Sequence, residues 1–288
     1  MNNYIIYTDS ACDISPEILK EWGCEYLSLT FKFEGSDIEY KDGSMDTKEF
    51  YAKMRAGSVA KTSAVNVEAF SSAFENILSR GTDILYIGFS SGLSTTYNSA
   101  RIAADQLREN YPDRKIITLD SLSASAGFGL LLYLTLEKKN SGATIEEAAA
   151  FAEEMRFHLC HWFTVDDLVY LKRGGRISPT LAFVGKALGI KPVLHMDDEG
   201  HLISMSKVRG RHASVRALAD KYGELALDPK DGTVFICNGD CENDVNDLKT
   251  ILAERYGAKV QLVTPTGTVI GSHSGPGTLA LFFVGKHR

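Results

Sequence analysis

The stretch Gly88-Phe89-Ser90-Ser91-Gly92-Leu93-Ser94 packs three serines and two glycines into seven residues. Two chemistries fit it. Gly88–Gly92 matches G-x-S-x-G, the sharp turn that lifts a hydrolase serine above a sheet. In that reading Ser90 is the nucleophile, Asp166 or Asp167 the orienter and His273 the base, in the chain order of an α/β-hydrolase. In the other reading the turn is an anion cup. Ser94 and its neighbours donate hydroxyl hydrogen bonds, and the free N–H groups of the following helix add partial positive charge, which suits a carboxylate or a phosphate. A serine-rich helix cap with no ligand is the plainest reading. No HGGG-type oxyanion segment precedes the elbow, and neither the P-loop nor the dinucleotide glycine pattern occurs, which counts against hydrolase and nucleotide sites.

The elements around the turn favour a site. Ile84–Phe89 is an apolar run that reads as a buried strand, and Tyr97, Ala100, Ala104, Leu107 and Tyr111 recur at helical spacing until Pro112. Strand and helix alternate through the first half. Strands are expected at Asn3–Tyr7, Glu25–Phe33 and Lys115–Leu119. Helices are expected at Pro16–Trp22, Thr47–Ala56, Val67–Ser79, Gly127–Glu137 and Thr144–Phe157. Glu34–Gly43 reads as a hairpin or loop and Lys61–Asn66 as a polar loop. Thr8, Asp9, Ser10, Asp120 and Ser121 then join Ser90, Ser91 and Ser94 at strand C-terminal ends, where doubly wound sheets bind ligands.

The second half reads differently. Helices are expected at Asp166–Arg176, Thr180–Leu188, His212–Tyr222 and Asp244–Tyr256. Lys191–Met196 and His201–Val208 form a hairpin around Asp197–Gly200, and Val234–Asn238, Val260–Val263 and Leu279–Val284 are further strands. Thr264–Pro276 reads as a loop with eight Gly, Ser and Thr residues around His273. The expected fold class is α/β. It comprises an N-terminal doubly wound, mostly parallel sheet with helices on both faces (residues 1–158) and a C-terminal α+β domain with a mixed or antiparallel sheet (159–288).

Composition narrows the partners. Hydrophobic residues make up 44% and charged residues 24%, the balance of an ordinary globular chain. A net charge of −6 provides no basic footprint for nucleic acid. There is no signal-peptide pattern at the start, and the longest apolar run, Ala126–Leu136, is too short for a membrane span. A cytoplasmic protein is expected, with Cys12, Cys24, Cys160, Cys237 and Cys241 as reduced thiols. Cys237 and Cys241 lack a second ligand pair, and His158, Cys160 and His161 lack a carboxylate, so no metal and no cofactor are expected.

Taken together, YTDSACD (Tyr7–Asp13), KTSAVN (Lys61–Asn66), SSGLSTTYNSA (Ser90–Ala100), DSLSASAGFG (Asp120–Gly129), VDDLVYLKRGGRIS (Val165–Ser178) and HSGPG (His273–Gly277) resemble the DegV family of bacterial fatty-acid-binding proteins. Gly189–Pro192 and Lys207–Arg211 also fit, in order, over nearly the whole length. Thr95 stands where that family often has Gly. The resemblance implies a carrier rather than an enzyme, holding one long-chain fatty acid such as palmitate. It implies that Thr62, Ser94 and His273 bind the carboxylate, with Ser63, Ser91, Gly92 and Arg173 as secondary pocket candidates. It further implies a fatty acid kinase catalytic subunit and an acyl-phosphate-using acyltransferase as partners, with Arg209 a docking candidate beside Lys207 and Arg211. Arg173 and Arg176 also have a plainer reading, as helix-end charges pairing with Asp166 and Asp167. Leu130, Leu131, Phe163, Leu168, Leu188 and Ile190 are candidates to line the acyl tail, or ordinary core.

Overall fold

A computed structural model describes residues 3–177 and 189–288. The first half is built on β1 (Tyr4–Asp9), β2 (Glu25–Leu27), β6 (Asp83–Gly88) and β7 (Ile116–Asp120), all parallel in the order β2-β1-β6-β7. Ile84, Leu85, Tyr86 and Ile87 are wholly buried, as a parallel strand covered on both faces requires. Helix α1 (Pro16–Glu21) links β1 to β2, and the helices α3 (Val67–Leu78), α4 (Thr96–Asn110), α5 (Ser125–Asn140) and α6 (Ile145–Met155) flank this sheet, α3 packing on α4 and α5 on α6. Strand order reverses between β1 and β6, so a crevice opens at their carboxyl ends.

Two expectations fail nearby. Glu25–Phe33 is not one strand. After β2 the chain turns through buried Leu29, whose N–H donates to Ser10 Oγ at 3.1 Å. It then enters β3 (Thr30–Phe33), which joins β4 (Tyr40–Lys41) and β5 (Ala60–Ser63) in a separate antiparallel sheet. That sheet has its own aromatic core with α2 (Thr47–Arg55), where Phe31, Phe50 and Tyr51 are wholly buried. Lys61–Asn66 is likewise not simply a loop, because its first residues complete β5, with Thr62 opposite Phe31. The run Ala-Lys-Thr-Ser has no apolar alternation, so the strand is invisible locally.

The second half is one six-stranded mixed sheet. It contains β8 (Leu159–Thr164), β9 (Ile190–Met196), β10 (Leu202–Arg209), β11 (Val234–Asn238), β12 (Val260–Pro265) and β13 (Leu279–Val284) in the order β10-β9-β8-β13-β11-β12. Only β11 and β12 pair in parallel. The helices α8 (Arg211–Leu225) and α9 (Glu242–Tyr256) cover its outer face. The helix expected over Asp166–Arg176 is shorter, α7 (Val169–Gly174), because Asp167 Oδ1 accepts from Val169 N at 2.9 Å and left-handed Gly175 (φ 69°) ends it. The helix expected over Thr180–Leu188 lies outside the described residues.

Thr264–Pro276 is not a loop but contains α10 (Thr268–Ser274). Its start is held by two buried carboxylates from the other half. Asp13 Oδ1 accepts from Gly267 N at 3.0 Å, and Asp42 Oδ1 accepts from the Thr268 hydroxyl at 2.7 Å and from Val269 N at 3.2 Å. Partners so distant in the chain leave no trace in local composition. No helix among the described residues is long and apolar enough to cross a membrane.

Candidate functional site

A cavity of about 500 Å³ lies between the carboxyl edge of the parallel sheet and the inner face of the mixed sheet. That is the size of an ordinary small-molecule pocket. Its walls include Phe89, Leu93, Phe163, Met196, Leu202 and Phe282, while Thr62, Ser91, Ser94, Arg176 and His273 supply polar groups.

The serine turn after β6 is fixed by carboxylates beneath it. Asp9 is wholly buried and accepts from Phe89 N at 2.9 Å and from the Tyr86 hydroxyl at 2.7 Å. Burial pushes its carboxyl up to about 6, against those hydrogen bonds. Asp120 accepts from Ser91 N at 3.2 Å, and the Ser90 carbonyl accepts from Leu93 N and Ser94 N, both at 3.1 Å. Ser94 then stands at the start of α4, where its hydroxyl oxygen accepts from Thr96 N at 3.2 Å. Gly92 is required by a close approach, since a Cβ there would lie 2.9 Å from the Gly200 carbonyl.

The other polar groups arrive from three directions. Thr62 comes from β5 and His273 from α10, and Thr62 Oγ1 lies 2.8 Å from His273 Nε2. Burial, then the nearby Arg176 charge, lowers His273 to about 4, so the imidazole is neutral at pH 7. Its Nδ1 has no hydrogen-bond partner among the described residues and rests against Gly174, where no side chain would fit. Arg176 follows α7. Its Nε donates to the Leu93 carbonyl at 3.1 Å and its Nη1 to the Gly174 carbonyl at 2.5 Å. No carboxylate pairs with it among the described residues, and burial lowers its pKa. A partly desolvated guanidinium among hydroxyls and a neutral imidazole can receive one carboxylate, with Thr62 and Ser94 donating to its oxygens.

The structure thus gathers Thr62, Ser94, His273 and Ser91 at one cavity. It does not bring in three other candidates. Ser63 is exposed, Gly92 packs on the Gly200 turn, and Arg173 is exposed with its guanidinium 5.8 Å from the Tyr170 ring centre. Arg176 occupies the place expected of Arg173, because the left-handed Gly175 turns the chain inward after α7. Neither arginine pairs with Asp166, which meets Lys191 at 2.7 Å instead. Of the tail candidates, Phe163 lines the cavity, whereas Leu130 and Leu131 are wholly buried core. Leu168 and Ile190 lie outside the lining, and Leu188 lies outside the described residues. Met196 and Phe282 were missed, because strands buried on both faces do not mark which face holds a ligand, and Leu202 because it lies on the half-exposed edge strand β10.

The hydrolase constellation does not assemble. Ser90 is wholly buried and its hydroxyl donates to the Gly200 carbonyl at 2.9 Å. Asp167 accepts from Val169 N at the start of α7, and His273 meets Thr62 rather than Ser90. His161 is buried with Nδ1 3.0 Å from the Leu159 carbonyl, and no group of three potential metal ligands occurs among the described residues. Arg211 is not a free basic residue, since its guanidinium donates to Asp244 at 3.0 Å and to the Gly277 carbonyl at 2.6 Å. Lys207 and Arg209 are exposed on β10.

The sequence and the fold match known proteins. A family model described as an uncharacterised protein of the DegV family matches residues 4–286. A DegV domain-containing protein of Clostridium perfringens is 42% identical over 100% of this chain and 99% of its own. Among solved structures, a DegV lipid-binding protein of Thermotoga maritima superposes with a TM-score of 0.87 at 30% identity, covering 99% of both chains. A stearic acid-binding protein of Eubacterium ventriosum superposes with a TM-score of 0.88 at 27% identity, covering 98% of both chains.

Proposed function

The chain belongs to the DegV family, and we propose that it is a non-catalytic carrier which binds one long-chain fatty acid, such as palmitate or stearate, and presents its carboxylate to a partner. The observation that carries this reading is the pairing of an apolar cavity with a half-buried cation, Arg176, which has no carboxylate partner among the described residues, beside Thr62, Ser94 and His273. The relatives described as binding lipid or stearic acid support the ligand class.

Magnitudes divide the work. Burying about 16 carbons at ~0.8 kcal/mol each provides on the order of 10 kcal/mol before ordering costs. Each charge-assisted hydrogen bond at the head adds roughly 1.5–3 kcal/mol. The tail therefore supplies affinity, and the head sets orientation. In this reading the kinase chemistry belongs to a fatty acid kinase subunit, the acyl phosphate passes to an acyltransferase, and exposed Arg209 helps dock the kinase. Residues 1–158 and 159–288 are the two domains that enclose the acid, in a cytoplasmic protein whose free thiols fit that setting.

Native mass spectrometry of purified protein, with extraction of what is bound, tests the reading. One fatty acid per chain is expected in wild type, with retention reduced in Thr62→Ala/Ser94→Ala. Protein that carries none, and takes up none when offered palmitate, refutes it.

A further inference from the structure

The β9–β10 hairpin supplies one wall of this cavity, through Met196 and Leu202. Its strands pair along seven registered positions, but β9 joins β8 through one registered pair, Phe163 with Leu194. Beside that pair a side chain replaces the ladder, because His195 Nδ1 donates to the His161 carbonyl at 3.0 Å. This seam lies over the cavity, with His161 and Phe163 lining it from one side and Met196 and Leu202 from the other.

The hairpin is also divided along its length. A bulge between Ser204 and Ser206 interrupts the β9–β10 register and leaves Met205 50% exposed. Bulges break the ladder locally and bend the strand. Below the bulge, Val193 and Val208 anchor the hairpin in the core beneath α8. Above it, residues 195–203 carry Met196 and Leu202, and β10 is the sheet's edge.

The tip is held by polar latches. Ser90 Oγ donates to the Gly200 carbonyl at 2.9 Å. The Arg288 guanidinium donates to the Asp197 carbonyl at 3.0 Å and to the Leu122 carbonyl at 2.9 Å, bridging the tip to the other half. Within the tip, Asp197 Oδ1 accepts from Glu199 N at 3.0 Å and His201 N at 2.8 Å, so the turn is stiff. We propose that residues 195–203 form a flap, hinged at the Met205 bulge and latched by Arg288 and Ser90, which lifts to admit and release the acyl tail along the β8–β9 seam.

The proposal rests on the fatty acid reading above, and the test separates the two. Equilibrium binding and stopped-flow exchange of cis-parinaric acid are measured on wild type, on Arg288→Ala, and on Leu122→Cys/Glu199→Cys before and after bridging with a short bis-maleimide. Leu122 and Glu199 flank the latch and lie outside the cavity lining. Loss of the Arg288 latch should raise both association and dissociation rates about tenfold, the effect of one or two hydrogen bonds made only when closed, with less than about a threefold change in affinity. Bridging should slow exchange at least about tenfold, the tip being unable to lift, while the unbridged double variant exchanges as wild type does. Exchange unchanged by both the latch variant and the bridge overturns the flap. Wild type that binds no cis-parinaric acid at equilibrium overturns the carrier reading, and the flap with it.

Discussion

Gly174→Ala tests the head-group assembly without touching any residue that would contact the ligand. Gly174 is the last residue of α7, and its backbone is helical, so alanine there should gain about 1 kcal/mol of helix propensity. The structure predicts the opposite sign. A Cβ at this position would overlap His273 Nδ1 and lie 3.1 Å from Cε1 and 3.2 Å from Cγ. Non-bonded carbons rest near ~3.5–4 Å, so the ring must move by about 1 Å. His273 is half-buried near the end of α10, and the 2.8 Å contact with Thr62 cannot survive such a shift. Overpacking costs about 1–3 kcal/mol and the lost hydrogen bond about 0.5–1.5 kcal/mol, which outweighs the helix gain. A net loss of about 1–3 kcal/mol should lower Tm by roughly 2–4 °C per kcal/mol in a chain of this size. Fatty acid affinity should fall about tenfold through the displaced imidazole. The deciding assay is a double-mutant cycle with His273→Ala, read by calorimetric Tm and by ligand titration. With the ring gone the methyl has room, so Gly174→Ala should be neutral or stabilising in that background and should not weaken binding further. An equal penalty in both backgrounds would show that the contact between α7 and α10 is not what Gly174 protects, and would refute the reasoning.

Two further outcomes follow from the same geometry. Burial holds His273 and His195 at about 4 and His161 well below its ordinary value, so the unfolded chain binds protons near ~6.5 that the native state refuses. These three contributions therefore lose stability as pH falls through that window. Asp9, raised to about 6, and the raised Asp13 and Asp42 act in the opposite direction, so guanidinium midpoints at pH 7, 6 and 5 should fall more steeply in Asp9→Asn than in wild type; an unchanged slope would mean that Asp9 does not bind its proton there. Arg209→Glu should leave fatty acid retention unchanged and abolish phosphorylation of the bound acid by a fatty acid kinase, and unimpaired phosphorylation would remove Arg209 from the docking surface.

What could be read from the chain alone follows a physical line. β6, its serine turn and α4 were legible because burial on both faces forces a continuous apolar run, and the helix after it must keep a 3.6-residue stripe. β5 and α10 were not, because neither is stabilised by its own composition. β5 exists because Phe31 and Phe33 present a strand for it to join, and α10 because Asp13 and Asp42 receive its first N–H and hydroxyl groups. Thr62 and His273 ride on those two elements, so the motifs that contain them could be quoted while their secondary structure could not be derived. Arg176 shows the same division within one short run. Gly174 gives up its side chain to His273, Gly175 takes the left-handed turn, and only then does the next residue face the cavity. Arg173 and Arg176 are equivalent by charge and nearly so by position. What separates them is a backbone reversal whose purpose is visible only when α10 is packed against α7, and the choice of the inward arginine is therefore a property of the tertiary fold rather than of the motif.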